Sequence, residues 1–282
     1  IMIAEMAVGR NTAKEPVGAF KALSHGSKLW GSAGFLGVLT PFMIAVFYMV
    51  ITVWIFGYIT LTVTGNLDYL ASAEGFGEFI NSPYLYVGLV VVSGIVSVIL
   101  AAGVKGGIEK AAKILMPALL IMLIMMVVFV LTLDNAMAGV SFFIVPDISK
   151  ITPSVINGAL SQAFFSLSLG MGILLTYGSY IDKQTNIPNS AKLVAITDTG
   201  VAFIAGLMIL PAVFSFNPEV IPSELSDSSV SLIFTFLPKI FLALQTSLGY
   251  VGASAVATFF FLLVFFAAIT SLVSIMEVPV SY

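Results

Sequence analysis

Polar residues interrupt an uncharged, otherwise apolar stretch between Ile151 and Ile181, and their types could bind a small ion or a zwitterion. The interruption covers residues 166–172 and reads SLSLGMG. Two serines and two glycines weaken a helix, and an unwound turn is one interpretation of this stretch. An unwound turn presents backbone carbonyls and amides, which in apolar surroundings must face protein or a wet cavity. Close helix packing through small residues is the alternative that the pattern leaves open.

A second group of oxygen atoms is expected on one turn of the last apolar segment. Thr270 and Ser271 follow Ala267 by three and four positions, so on a helix both hydroxyls lie over the Ala267 carbonyl. Three oxygens without a positive charge suit a hard cation such as sodium, by the logic of calcium and magnesium sites. Ordinary hydrogen bonding of the two hydroxyls to the preceding turn is the open alternative.

Individual polar side chains within apolar segments are the third source of chemistry. Asp198 is the acid that lies well inside a complete segment, and a carboxylate there needs a partner or a bound cation. Tyr48 lies in the middle of another segment, where its hydroxyl needs a hydrogen-bond partner. Glu5 and Glu277 lie near segment ends, and we interpret both as structural polar contacts.

Composition indicates the surroundings of these residues. The 282 residues are 59% hydrophobic and 9% charged, whereas a soluble domain is about 25% charged. The mean hydropathy is +1.11. A membrane bilayer is therefore the expected solvent and partner. The net charge of −3 is small and says little by itself, but no basic patch of useful size appears, so we expect no nucleic-acid partner. No His, Cys or paired acid in the apolar segments could serve as base or nucleophile, so we expect no enzyme.

The apolar segments are long enough to cross a bilayer, which takes roughly 20 residues. We predict seven segments, the first of them partial. They are Ile1–Gly9, Leu39–Leu61, Tyr86–Val104, Ile114–Leu133, the broken Ile151–Ile181, Leu193–Phe216 and Gly249–Met276. The sequence thus predicts an all-α polytopic membrane protein, with one transmembrane domain over residues 1–282.

Charge in the links predicts the orientation. The links 10–30, 105–113 and 182–192 carry all but two of the 11 Lys and Arg residues, which places them in the cytoplasm by the positive-inside rule. The outer links carry most of the acids. In the long outer link Asn217–Thr246, the apolar run Ser228–Leu237 is too short to span, and we expect short helices that fold back as a lid. An ordered surface loop is the alternative.

Four motifs in order resemble the neurotransmitter:sodium symporter family, in particular its bacterial amino-acid transporters. The most specific is QAFFSLSLGMGILLTYGSY, from Gln162 to Tyr180, which is similar to the unwound sixth helix of the family. The others are AEMAVGR (Ala4–Arg10), GGIEKAAKILMP (Gly106–Pro117) and FFAAITSLVSIME (Phe265–Glu277), which are similar to helices two, five and eight. The resemblance implies an internal fragment, from part of helix two to helix eight, of the inverted-repeat fold of the leucine transporter.

The resemblance implies roles residue by residue. Tyr48 would bind the substrate carboxylate. Phe165 would cap the pocket, Tyr180 would belong to the inner gate, and Gln162 would lie near the outer vestibule. The substrate-binding residues would be Ile44, Tyr48, Phe165, Ser166, Ser168, Met171, Ser271 and Ile275. The first sodium site would contain Ser166 and Asp198, and the second Ala267, Thr270 and Ser271. Helix one would supply the rest of both sites, so each is expected to be incomplete in this fragment.

Two departures from the leucine transporter refine the expected function. Asp198 stands where that transporter has Asn, and its negative charge could replace chloride, so no chloride requirement is expected. Met171 stands where it has Phe, and the more flexible Met predicts a pocket for a bulky hydrophobic or aromatic L-amino acid.

The resemblance thus implies sodium-coupled amino-acid symport across the bacterial inner membrane by alternating access. A homodimer is left open. The alternatives are a sodium-independent exchanger of the same fold and a non-transporting amino-acid-binding receptor or accessory subunit.

Overall fold

The computed structural model describes residues 1–102, 107–216 and 229–282, and in this part the chain is helical, without a strand. The predicted all-α class is therefore confirmed. The helices, in chain order, are α1 (Met2–Thr12), α2 (Pro16–Leu23), α3 (Lys28–Val63), α4 (Leu67–Ala71), α5 (Gly75–Ile80), α6 (Tyr84–Ala102), α7 (Gly107–Val130), α8 (Ala136–Ile144), a 3₁₀ turn (Ile148–Lys150), α9 (Pro153–Ser166), α10 (Ile173–Ser179), α11 (Ile187–Phe216), α12 (Ser229–Ala243) and α13 (Gln245–Ser281).

Four of the described helices are long and apolar enough to cross a membrane: α3, α6, α11 and α13. A shorter apolar run, Met116–Val130, forms the C-terminal part of α7. The broken segment appears as two helices, α9 and α10, in place of one. Within the described residues, each predicted apolar segment thus coincides with helix. The helix α3 begins at Lys28, eleven residues before the predicted start at Leu39, because a hydropathy run marks only the most apolar part of a helix.

The short helix α2 lies in the link 10–30. Its start is capped by the Glu15 carboxylate, which accepts hydrogen bonds from the Val17 and Gly18 amides, both at 2.6 Å. Pro16 occupies the first helical position, where the missing N–H costs nothing and the fixed φ favours a helix. Local capping is therefore sufficient to explain this helix.

The chain groups into two compact units, each made from several chain segments. The first contains residues 1–48, 147–200 and 271–282, and the second contains 49–146 and 201–270. The predicted single transmembrane domain over residues 1–282 remains a prediction. All the predicted substrate-binding residues belong to the first unit.

Glycines allow α1 and α10 to pack closely in the first unit. A Cβ on Gly178 would lie 2.7 Å from the Met6 carbonyl oxygen, and one on Gly9 would overlap the Leu175 carbonyl. Side chains at these two positions would force the helix backbones apart. Small residues bring helix backbones together in membranes in this way, and here the contact holds α10 in place below the broken segment.

Aromatic packing forms the core of the second unit. The fully buried Tyr58 contacts the rings of Phe79, Phe234 and Phe261 at centroid distances of 5.0–5.3 Å. Its hydroxyl donates to the Phe234 carbonyl at 2.9 Å, which satisfies the one polar atom of this side chain. Phe234 belongs to α12, so this contact attaches α12 to α3.

The outer link contains the helix α12, which packs on α4 and α5. The helical part of the prediction for this link is confirmed over residues 229–243. Residues 217–228 of the link lie outside the described part of the chain, and the role of a lid remains a prediction.

Candidate functional site

The break between α9 and α10 is the central feature of the first unit. Ser168, Gly170 and Gly172 have φ values of 54°, 74° and 71°, which lie in the left-handed region. Glycine adopts this region without strain, whereas for Ser168 it costs roughly 1–2 kcal/mol. Left-handed residues at alternate positions end one helix and start the next, so the predicted unwinding at 166–172 is confirmed.

Several carbonyls of the break accept no backbone hydrogen bond from the described residues. Along the described chain, no backbone hydrogen bond uses the carbonyls of Leu167, Ser168, Leu169 or Gly170. Carbonyl oxygens in an apolar environment need a donor or a cation. The break therefore supplies oxygen ligands in the way that the sequence predicts.

Glu5 reaches the break from α1. The Gly170 amide donates to Glu5 Oε1 at 2.8 Å, although the two residues are 165 positions apart. The second oxygen, Oε2, is buried and has no hydrogen-bond partner in the described residues. Glu5 thus fixes the backbone of the break and leaves one carboxylate oxygen available beside it.

The predicted first sodium site brings two of its residues together. The Ser166 hydroxyl, at the end of α9, lies 2.8 and 2.9 Å from the two carboxylate oxygens of Asp198 on α11. No Lys or Arg of the described residues pairs with Asp198. The result is a cluster of three oxygens with net negative charge beside the broken helix. Such donors suit a hard cation.

The predicted second sodium site lies on one turn of α13. The Thr270 hydroxyl donates to the Ala267 carbonyl at 2.8 Å, so the three-residue spacing places these two oxygens together as expected. Ser271 is the next residue of the same helix. The same bond is the ordinary one between a Thr hydroxyl and the preceding turn. The geometry therefore agrees with both interpretations.

The remaining predicted pocket residues come from several elements of the first unit. Ile44 and Tyr48 lie on α3, Phe165 lies in the last turn of α9, and Ser168 and Met171 lie in the break. Ser271 and Ile275 lie on α13. Ile275 is buried, whereas Phe165 is 43% exposed. Their grouping into one pocket stays a prediction.

The predicted gate residues differ in their surroundings. The Tyr180 hydroxyl, at the end of α10, donates to Glu277 Oε1 at 3.2 Å. The Tyr180 ring also contacts Tyr177 edge to face. Gln162 is exposed on α9. Tyr180 is thus linked to α13 by a polar contact, and the gate roles of Tyr180, Gln162 and Phe165 remain predictions.

Sequence analysis interpreted Glu5 and Glu277 as structural, yet both contact predicted functional segments. Glu5 binds the break and Glu277 binds Tyr180. The sequence did contain a signal for a functional role, because a carboxylate in an apolar segment costs free energy and often marks a functional position. Their partners are distant in the chain, so the sequence could not show which segment each acid reaches.

Comparison with known proteins identifies the family of the chain. The family model described as the sodium:neurotransmitter symporter family matches residues 77–282. The chain belongs to this family. The predicted membership is thereby confirmed, and the structural neighbour described next confirms the predicted leucine-transporter fold.

Individual relatives support the same assignment. A sodium-dependent transporter of Haemophilus influenzae is 36% identical over the whole chain, which covers 62% of that relative. The sodium-dependent transporter YhdH of Bacillus subtilis is 36% identical and 60% covered. The crystal structure of MhsT in complex with L-phenylalanine matches the whole chain with 41% identity and a TM-score of 0.88, and 62% of that chain is covered. The chain thus spans about three fifths of the length of these relatives.

Proposed function

We propose that the full-length protein is a sodium-coupled symporter of a hydrophobic or aromatic L-amino acid, and that it needs no chloride. The observation that carries the proposal is the contact of Ser166 with both Asp198 oxygens beside the broken helix. Family membership supports sodium coupling, and the L-phenylalanine complex of MhsT supports the substrate class. The proposed location is the bacterial plasma membrane.

Two sodium sites are part of the proposal. Ser166 and Asp198 contribute to the first, and the Ala267 carbonyl with the Thr270 and Ser271 hydroxyls contributes to the second. The donor sets fit sodium, because they consist of carboxylate, hydroxyl and carbonyl oxygens. The Asp198 carboxylate, which accepts from the Ser166 hydroxyl, gives the first site its negative charge.

The substrate is proposed to bind next to the break. The Tyr48 hydroxyl donates a hydrogen bond to the substrate carboxylate. Ser166, Ser168 and the backbone of the break provide further polar groups beside the substrate. Ile44, Phe165, Met171, Ser271 and Ile275 line the side-chain pocket. Met171 is flexible and adapts to large side chains, which favours aromatic substrates such as the phenylalanine bound by MhsT.

Sodium binding and amino-acid binding are coupled because both ligands contact the break between α9 and α10. Sodium orders the carbonyls between α9 and α10, which then receive the amino acid in a fixed geometry. Because binding coupling is reciprocal, substrate tightens sodium as much as sodium tightens substrate. Asp198 supplies the negative charge that would otherwise come from chloride.

Binding of radiolabelled phenylalanine, tyrosine, tryptophan and leucine to the full-length protein tests the proposal. We expect binding in sodium but not in potassium, with no change when gluconate replaces chloride. Equal amino-acid binding in sodium and in potassium would contradict both proposed sodium sites and would favour a sodium-independent exchanger. Sodium-dependent binding without uptake into proteoliposomes would favour a receptor.

A further inference from the structure

Three lysines of the link 10–30 lie on one surface of the first unit. Lys14 precedes α2, Lys21 lies in its last turn, and Lys28 is the first residue of α3. All three side chains are exposed, and together they are called the lysine surface below. None of them belongs to the proposed amino-acid or sodium sites, so the proposed transport function gives them no role.

Two glycines bring these lysines together. A Cβ on Gly18 would lie 3.2 Å from Lys14 Cδ, and one on Gly31 would lie 2.7 Å from Lys21 Cε. Lys14 therefore lies over Gly18, and Lys21, three positions further along α2, is on the same side of that helix. The Lys21 stem crosses to α3 at Gly31, which is three positions after Lys28 and on the same side of α3. The lysine surface is thus continuous across the two helices.

The carboxylates of the first unit do not neutralise the lysine surface. Glu15 lies beside it, but its two oxygens accept hydrogen bonds from amides at the start of α2. Four other carboxylates have partners elsewhere: Glu5 has the Gly170 amide, Asp147 has Lys150, Asp198 has Ser166, and Glu277 has Tyr180. Among the described residues, no carboxylate forms an ion pair with the three lysines.

The neighbouring link after α10 does not change this balance. Its Asp182 is followed directly by Lys183, so their charges cancel. Arg10 contacts the same link, where its guanidinium donates to the Thr185 carbonyl at 2.8 Å, and it adds a further positive charge. The lysine surface therefore carries three ammonium groups beside a single carboxylate, that of Glu15, and it attracts an anion.

Large apolar side chains flank the lysines. Leu23, Leu29 and Trp30 are 54%, 79% and 53% exposed. The Trp30 ring stacks on Phe20 at a centroid distance of 6.2 Å, which attaches α2 to the first turn of α3. Exposed tryptophan gathers at the membrane–water interface, and lysines beside apolar side chains are typical of segments that lie in this interface.

The ligand must therefore combine a negative charge with an apolar part. An anionic phospholipid has both, whereas a zwitterionic lipid brings an ammonium group that the lysines repel. Basic residues next to a membrane helix on the cytoplasmic side attract anionic lipids in this way. A nucleic acid would need charges spread along many phosphates, whereas one lipid headgroup carries a single phosphate that three lysines can surround.

We propose that the lysine surface binds phosphatidylglycerol of the cytoplasmic leaflet. Its phosphate lies near Lys21 and Lys28, and its glycerol backbone and upper acyl chains lie beside Leu29 and Trp30. This site uses the predicted cytoplasmic position of the link 10–30 and does not depend on the proposed transport function.

Photolabelling of the full-length protein in lipid nanodiscs tests the proposal. The probes are phosphatidylglycerol and phosphatidylcholine, each with a diazirine in the acyl chain close to the glycerol, and mass spectrometry identifies the labelled peptides. One lysine near an anionic lipid contributes a factor of about five in binding. We therefore expect phosphatidylglycerol to label peptides from residues 22–36 about ten-fold more than phosphatidylcholine, or better. Equal labelling by the two probes, or no labelling of these peptides, would overturn the proposal.

Two pairs of lysines separate a site from general surface charge. Lys21→Gln with Lys28→Gln should lower labelling by phosphatidylglycerol to the level of phosphatidylcholine. Lys183→Gln with Lys192→Gln removes the same charge from exposed positions in another predicted cytoplasmic link and should leave the preference intact. Thermal unfolding midpoints show that both variants are folded. An equal loss in the two variants, or no loss in the first, would overturn the site.

Inorganic phosphate distinguishes a lipid from a soluble anion. It carries the charge of the headgroup but no acyl chain, so an excess of it at constant ionic strength should leave labelling by phosphatidylglycerol unchanged. Loss of labelling under these conditions would overturn the lipid assignment and show that the lysine surface binds a soluble phosphate compound.

Discussion

Single polar residues in the first unit have partners that explain why an apolar chain retains them. Asp198 is paired with Ser166, and Glu5 with the Gly170 amide. In both cases a carboxylate lies against the broken helix, where its oxygens are within reach of a cation or a backbone N–H. The cost of an acid in a membrane segment is thus offset at the break.

Replacing Asp198 tests the source of negative charge in the first proposed sodium site. Asp198→Asn keeps an oxygen for the Ser166 hydroxyl but removes the charge, so chloride should become necessary. Without chloride we expect sodium-dependent amino-acid binding to weaken about ten-fold or more, since a bond to a charged group contributes about 1.5–3 kcal/mol. Titration of binding against sodium, with chloride or gluconate, measures this. Asp182→Asn, in a link, is the control and should change nothing.

Replacing Glu5 separates its hydrogen bond from its charge. Glu5→Ala leaves the Gly170 amide without its acceptor, which should cost about 1–3 kcal/mol and lower the thermal unfolding midpoint. Glu5→Gln retains an acceptor oxygen and should preserve most of the stability. The midpoints of the purified full-length variants provide the comparison. If Glu5→Gln were as unstable as Glu5→Ala, the charge would be the essential property of Glu5.

Helix α10 depends on close backbone contact with α1, and this contact involves glycine on both sides. Gly178 and Gly9 each face a carbonyl of the opposite helix. A shift of α10 would move the lower end of the break, so packing of these two helices and geometry of the site are connected.

Gly178→Ala measures this contact. The added Cβ would lie 2.7 Å from the Met6 carbonyl oxygen. A backbone carbonyl cannot change its rotamer to avoid this contact, whereas a flexible side chain could. We expect a loss of about 1–3 kcal/mol, seen as a lower thermal unfolding midpoint. Gly94→Ala is the matched control, because Gly94 lies in the spanning helix α6 with no atom within 4 Å of the added Cβ. It should be neutral or stabilise by up to about 1 kcal/mol. Equal midpoints for the two variants would contradict the close contact.

The predicted orientation places the links 10–30, 105–113 and 182–192 in the cytoplasm, and cysteine labelling can check it. Basic residues concentrate in alternate links, and this chain has no cysteine, so single cysteines can be introduced on a clean background. Lys14→Cys should react with a membrane-impermeant maleimide only in inside-out vesicles, and Glu74→Cys only in right-side-out vesicles. Both positions are exposed. Reaction of both from the same side would contradict the orientation and the predicted segment alternation.

The order and position of the long helices could be predicted from the sequence because the bilayer requires long uncharged runs, and such runs are visible residue by residue. The break at 166–172 was predictable for the same reason, since glycine and serine weaken a helix locally. Short helices such as α4 and α5 were not predicted, because a single turn or two in a link has no comparable hydropathy signal.

The contacts that form the candidate site required the folded chain. Ser166 meets Asp198 across 32 positions and Gly170 meets Glu5 across 165, and no local pattern encodes either distance. The sequence indicated which residues are too polar for a bilayer, because the free-energy cost of placing a polar side chain there depends on the type of that side chain alone. The partner that each polar side chain contacts is determined by helix packing, such as the glycine contact of α1 with α10. This packing depends on the whole chain.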